Sequence, residues 1–343
     1  MKKLTAKFDN STDDLNFQLQ FGILENISHS LKVEFTVIKN KMKTNFVTGA
    51  NSGLGLWTSK CLLDLNYTVI MACRNIEKAQ KSIDSFLKFK IKKNYVVKIL
   101  DLGNFDSIRS FVKGISKHEN IWRLNCNAGL SYTETFRNTK NGMEKIFGTN
   151  YIGHLLLKNL LLERFKLKRI VFIASSLHDP KNKSPFAPAV FREINELAYP
   201  KENPDSTLKK QCEEFYATSK LCMLLFAYKL NRRLKHKNLS YKTFINAINS
   251  GLMLTTNLGR THKFGENLYR SLLDFIFKII GFSNNPKSSG RSVVKLTNAV
   301  TTSGKYYEKG RPVPSPIDSY DRVKAIRLWE GSEAIIGSKF LSK

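Results

Sequence analysis

The chain has 343 residues, 42% of them hydrophobic, which excludes a disordered polymer and suits one large α/β domain or two small ones. Against 28 Asp and Glu stand 56 Lys and Arg, a net charge of +28 that invites an anionic partner: nucleic acid, an acidic membrane surface or a phosphorylated ligand. The basic residues are scattered rather than gathered in one stripe, so nucleic acid is the weaker of these expectations and a solvated surface explains most of the charge.

Residues 1–43 show little pattern and read as a poorly ordered extension; Met42 is a second methionine within it. The opening "MKKLTAKFDNSTDD" is basic but has no apolar core, so a secretory signal is not expected. The five cysteines, Cys61, Cys73, Cys126, Cys212 and Cys222, are odd in number and form no CxxC or Cys/His cluster. That argues for a reducing compartment, cytoplasm or organelle stroma or matrix, and against a metal.

From Thr44 the texture changes. β-rich runs at 44–49, 67–73, 95–101, 121–127, 168–175 and 242–249 alternate with helical runs, the mark of βαβ units in one domain over 44–339. Between the first strand and first helix lies "VTGANSGLG", Val47 to Gly55. Gly49 allows the tight turn, Gly53 lets backbone approach a pyrophosphate, and Gly55 lets helix and strand pack closely. The helix then aims free N–H groups and the positive end of its dipole at the phosphates. The expected ligand is a dinucleotide. Strand two ends in "MACRN", with Arg74 where an acidic residue would hold a ribose 2′-hydroxyl, so a 2′-phosphate and NADP(H) are expected. Asp101, ending strand three, is placed to meet the adenine.

Strand five runs into "IASSLHD" and places Ser176 at its end; Ser175, one residue earlier, is expected to point into the sheet. Pro180, Pro185, Pro188, Pro200 and Pro204 then mark 179–211 as an inserted loop with little regular structure. After it comes "YATSK": Tyr216 and Lys220, four apart, share one helical face. An ammonium beside a phenol favours the phenolate and is expected to lower its pKa toward working pH. Such a Tyr can protonate a carbonyl oxygen as hydride arrives, or remove the proton in reverse. Ser176 can hydrogen-bond the same oxygen, and Asn150 in "GTNYIGH" can hold a helix turn open around a water that links Lys220 to solvent. His154 lies on an apolar helical face and is expected to be a satisfied core residue.

"TGANSGLG", the "NAG" of Asn127–Gly129, Asn150, Ser176, Tyr216 and Lys220 together resemble a short-chain dehydrogenase/reductase. "VIMACRN", "GTNYIGHLLL", "SKLCMLLFAYKLNRRL" and "SGLMLTTNLG" are similar to its retinol dehydrogenase and protochlorophyllide reductase branch. The resemblance implies a Rossmann-type doubly wound parallel sheet, order 3-2-1-4-5-6-7, with helices on both faces. It implies NADP(H), held by Gly49, Asn51, Ser52, Gly53, Leu54, Gly55, Arg74, Asp101, Leu102, Asn127, Ala128, Gly129, Tyr216, Lys220, Gly251 and Thr255. It implies a tetrad of Asn150, Ser176, Tyr216 and Lys220. The family usually has Pro–Gly where this chain has Ser250–Gly251, which leaves the backbone before Thr255 less fixed.

The segment 262–283 reads as a substrate lid: Leu268, Leu272, Phe275, Ile276, Ile279 and Ile280 keep helical spacing. Arg270, Asp274 and Lys278 interrupt it, so it is no membrane span; an ordinary amphipathic helix against the core suits it as well as a lid, and a homo-oligomer contact or a peripheral membrane contact is a third option. The expected activity is reduction of a carbonyl, or oxidation of the alcohol, on an apolar small molecule such as a retinoid, steroid or lipid aldehyde. The alternatives are a protochlorophyllide-type alkene reductase and a non-catalytic NADPH-binding regulator.

Overall fold

The structure, a computed structural model, describes residues 43–87, 94–175, 179, 186–237, 243–251 and 285–341. The expected extension up to residue 42, the lid at 262–283, Ser176 and Thr255 lie outside these residues.

Six parallel strands match the six β-rich runs: β1 Thr44–Thr48, β2 Thr68–Cys73, β3 Tyr95–Ile99, β4 Ile121–Cys126, β5 Arg169–Ala174 and β6 Phe244–Asn249. Two further short strands follow, β7 Lys305–Glu308 and β8 Arg311–Val313. The sheet order is 3-2-1-4-5-6-7-8. Strand β7 runs parallel to β6, and β8 returns antiparallel to β7. This extra edge strand is absent from the expected order. It exists because Lys309 (φ 46°) and Gly310 (φ 79°) both take positive φ, the requirement of a two-residue hairpin turn.

The helices are α1 Gly53–Asp64, α2 Ile76–Leu87, α3 Phe105–Lys113, α4 Gly153–Arg164, α5 Ile194–Ala198, α6 Leu208–His236, α7 Pro286–Ala299 and α8 Arg322–Ile336. Strand alternation sends Phe46, Ile70, Ile170 and Phe172 into a core with residues of α3, α4, α6 and α8. It sends Val47, Val69 and Met71 to the opposite face with α1, α2 and α7, while Val171, Ile173 and Ile248 pack there with Val293. With both faces covered, β1 is buried along its whole length, its polar Thr44, Asn45 and Thr48 included.

Helix α4 is entered through a helical turn, Lys145–Phe147, and a π-turn, Gly148–Ile152, that carries Asn150. Glu144 starts this entry by accepting the N–H groups of Ile146 (2.9 Å) and Phe147 (2.6 Å). Thr207 caps α6, whose hydroxyl accepts from the Lys210 N–H. Within the expected loop 179–211, five residues form α5, because Ile194, Leu197 and Ala198 bury an apolar face. Residues 187 and 190 lean on α6 through their backbone: Ala187 N–H donates to Glu213 Oε2 (3.1 Å) and Val190 N–H to Thr218 Oγ1 (2.9 Å).

Candidate active site

The carboxyl ends of β1, β4 and β5 meet the N-terminus of α1 and the middle of α6. Gly49 leaves β1 with φ 64°, and a Cβ there would stand 2.9 Å from the Cα of Ala128. A Cβ on Gly55 would stand 2.5 Å from Asn127 Nδ2 and would also run into the Gly49 carbonyl, so the first turn of α1 rests against the end of β1 only because no side chain intervenes. Ser52 is the N-cap of α1 in extended conformation, makes no side-chain cap bond, and no acidic residue follows in the first turn. The first N–H groups thus keep donors for an anion. Asn51, Ser52 and Gly53 are half-exposed and Leu54 is buried beneath them.

Asn127 stitches β4 to this loop: its Nδ2 donates to the carbonyl of Thr48 at 2.7 Å. The backbone N–H groups of Asn127 and Ala128 both donate to Thr48 Oγ1 at 2.9 Å. Arg74 follows β2 directly and is exposed. Asp101 Oδ1 accepts from Gly103 N–H at 2.9 Å, so one oxygen shapes the turn after β3, with Leu102 buried beside it. These residues form a cradle open at a helix N-terminus, with backbone room at Gly49 and Gly55, and they fit a dinucleotide.

The Ser250–Gly251 turn is better fixed than the missing proline suggests. Gly251 N–H donates to Asn249 Oδ1 (3.0 Å), Asn249 Nδ2 donates to Glu308 Oε1 (2.8 Å), and Ser289 Oγ donates to the Ser250 carbonyl (2.8 Å). Side-chain hydrogen bonds stand in for the ring.

Tyr216 and Lys220 share a face of α6, with Lys220 Nζ 5.4 Å from the centre of the Tyr216 ring. Lys220 is buried, and its ammonium donates to the Ile173 carbonyl on β5 at 2.8 Å. Burial pushes its pKa down to about 8. The Tyr216 phenol differs from the expected lowered value. Burial pushes it up to about 12, and a hydrogen bond from Ser175, which favours the phenolate, only partly offsets this. The sequence places the ammonium near the phenol; it does not reveal how far the phenol is desolvated or that a carbonyl engages the ammonium.

That same bond corrects the expectation for Ser175. Strand β5 ends at Ala174, so the alternation that would turn Ser175 into the sheet has stopped before it, and its hydroxyl meets the phenol of Tyr216. Asn150 is fully buried, its Oδ1 accepting from Leu130 N–H (2.7 Å) and its Nδ2 donating to the Leu130 carbonyl (2.9 Å) and to Ser219 Oγ (3.0 Å). Gly129 lies between the two polar groups: a Cβ there would be 3.3 Å from Asn150 Oδ1 and 3.8 Å from Lys220 Nζ. His154 is buried and hydrogen-bonded on both ring nitrogens, to the Asn150 carbonyl four residues before it and to Thr48, a link that no spacing in the sequence announces. Cys222 is buried, and burial raises its thiol pKa. Among the described residues no group of three or more His, Cys, Asp or Glu could hold a metal ion, and no helix is long and apolar enough to cross a membrane.

With that geometry in place, comparison with known proteins defines the class. Residues 43–185 match the family model of the short chain dehydrogenases. The chain is 30% identical over 302 residues to retinol dehydrogenase 13 of Homo sapiens, covering 86% of this chain and 85% of that one. It is 31% identical over 316 residues to the chloroplastic protochlorophyllide reductase of Daucus carota, covering 85% and 77%. A crystal structure of a Mycobacterium paratuberculosis protein superposes with a TM-score of 0.64 at 25% identity, over 87% of this chain and 94% of that one. The chain belongs to the short-chain dehydrogenase/reductase family of oxidoreductases, in the branch of the retinol dehydrogenases and protochlorophyllide reductases.

Proposed function

We propose that the protein is an NADPH-dependent oxidoreductase that reduces a carbonyl, or oxidises the corresponding alcohol, on an apolar small molecule such as a retinoid, steroid or lipid aldehyde. One observation carries this reading: the Tyr216 phenol is hydrogen-bonded to Ser175 and stands one helical turn from the buried ammonium of Lys220, at the carboxyl end of the sheet. When bound, the dinucleotide supplies the hydride. Tyr216 supplies the proton to the nascent alkoxide. With a pKa of about 12 the phenol stays protonated at neutral pH, as an acid in the reducing direction needs. Ser175 takes the polarising role expected of Ser176. Lys220 holds positive charge near the developing phenolate and the ribose, and Asn150 keeps its turn open for proton exchange with solvent.

For the cofactor, Gly49, Asn51, Ser52, Gly53, Leu54 and Gly55 would hold the phosphates and Arg74 the 2′-phosphate. Asp101 and Leu102 would flank the adenine. Asn127, Ala128, Gly129 and Gly251, with Thr255, would face the nicotinamide half.

The apolar substrate class is supported by two segments flanking the Tyr216 turn. One runs beside Cys212 through Thr133 and the other beside Thr218 through Val190. They carry half-buried Leu130, Tyr132, Ala189 and Phe191. Two relatives bear the names of large apolar substrates, retinol and protochlorophyllide.

The test is a panel of retinal, steroid and lipid aldehydes and ketones, with protochlorophyllide included, followed by loss of NADPH absorbance. Tyr216→Phe should abolish turnover while NADPH affinity stays within about threefold. Comparable turnover by the variant removes the acid from this scheme. Turnover of protochlorophyllide alone selects the alkene reductase.

A further inference from the structure

We infer that His154 is a positioning residue, clamped between Thr48 and the main-chain carbonyl of Asn150 so that the turn carrying Asn150 is locked to the end of β1. The inference rests on the reading of Tyr216 and Lys220 as the proton-transfer pair.

His154 Nδ1 lies 2.7 Å from the Asn150 carbonyl oxygen, and Nε2 lies 2.9 Å from Thr48 Oγ1. A carbonyl only accepts, so Nδ1 carries the proton. The neutral ring then has an acceptor at Nε2, and the Thr48 hydroxyl donates to it. The Asn125 carbonyl, at 3.3 Å, is the longer alternative for that hydroxyl proton. The lone pairs of Thr48 Oγ1 take the N–H groups of Asn127 and Ala128. With the Thr48 hydroxyl donating to Nε2, each polar atom from the Ala128 N–H to the Asn150 carbonyl has one role.

The ring is fully desolvated, which pushes its pKa down to about 4; the bond to the Asn150 carbonyl opposes this shift and the Lys220 charge adds to it. It therefore stays neutral and keeps this tautomer across the physiological range. The position matters because a π-turn has backbone geometry an ordinary helix does not, and such turns need something to hold them. The side-chain amide of Asn150 is held by Leu130 and Ser219, and Ser219 Oγ in turn donates to the Tyr216 carbonyl (2.7 Å). His154 holds the backbone carbonyl.

The first arm of the test does not use activity. In ¹⁵N-histidine NMR of the full chain, the resonances lost in His154→Gln should belong to an Nδ1–H tautomer that does not titrate above about pH 5, against about 6.5 for a free His. An Nε2–H tautomer, or titration near the free value, overturns the clamp. The second arm is kinetic. His154→Leu removes both bonds, while His154→Asn keeps an N–H donor near the Nδ1 position. The Leu variant should lose about tenfold or more in kcat with substrate KM and NADPH Kd within about threefold, and the Asn variant should recover most of the loss. Equal kcat in the Leu variant, or no recovery by Asn at matched Tm, overturns the positioning role. A wild-type chain that turns over no carbonyl substrate sinks the oxidoreductase scheme and with it the kinetic role, whereas the NMR arm still decides the clamp.

Discussion

The hydroxyl of Ser175, one residue beyond β5, hydrogen-bonds the phenol of Tyr216 in the middle of α6. This joins the end of a central strand to the helix that crosses it. Ser175→Ala should lower kcat by about a hundredfold in the carbonyl-reduction assay, the scale of a lost donor at a developing oxyanion. Ser176→Ala should change it by less than about threefold. Equal losses in the two variants would mean that the bond to Tyr216 does not carry the polarising role.

Lys220 makes stability depend on pH in a stated direction. Its folded pKa of about 8 lies below the ordinary 10.5, so between these values the unfolded chain binds more protons and stability rises with pH. From pH 8 to pH 10 the wild type should gain roughly 2–3 kcal/mol relative to Lys220→Met, measured by urea unfolding. Lys158 is also buried and depressed by burial, but it is common to both chains and cancels in the difference. Parallel curves for the two proteins would place Lys220 in a wetter setting than α6 and β5 give it.

How far the sequence could be read depends on what each signal encodes. Strands β2 and β5 were the most legible, because burial on both faces leaves nearly unbroken apolar runs, "TVIMAC" and "RIVFIA". The hairpin of β7 and β8 was not: its strands have four and three residues, and Lys309 rather than Asn or Asp precedes the turn glycine. Spacing put Tyr216 and Lys220 on one face. It could not choose between Ser175 and Ser176, because a period of two carries no information past the last paired residue. Nor could it give the direction of the Tyr216 shift, since desolvation is a property of everything packed around the ring and not of the neighbour four residues on.

Arg74 tests coenzyme choice. It stands exposed just after β2, where a guanidinium can pair with a phosphate on the adenosine ribose and a carboxylate would instead accept from the 2′-hydroxyl. Arg74→Asp should move the NADPH/NADH ratio of kcat/KM toward NADH by about a hundredfold, on the scale of one charge-assisted pair turned into a repulsion. An unchanged ratio would locate the 2′-phosphate contact elsewhere.

Asn249 tests whether hydrogen bonds replace the usual proline before Gly251. Its side chain accepts from Gly251 N–H and donates to Glu308, so one amide couples the positive-φ glycine (φ 76°) to β7. Asn249→Ala releases both contacts and keeps the Ser289 bond to the Ser250 carbonyl. The cost should fall on cofactor binding, because a loosened turn loses order that the bound state must restore. NADPH Kd should rise about tenfold, with kcat at saturation within about threefold. Glu308→Gln keeps an acceptor for the Asn249 amide and should leave both constants near wild type. If Asn249→Ala instead lowered kcat at unchanged Kd, the turn would be acting on the reacting atoms rather than on the grip of the site.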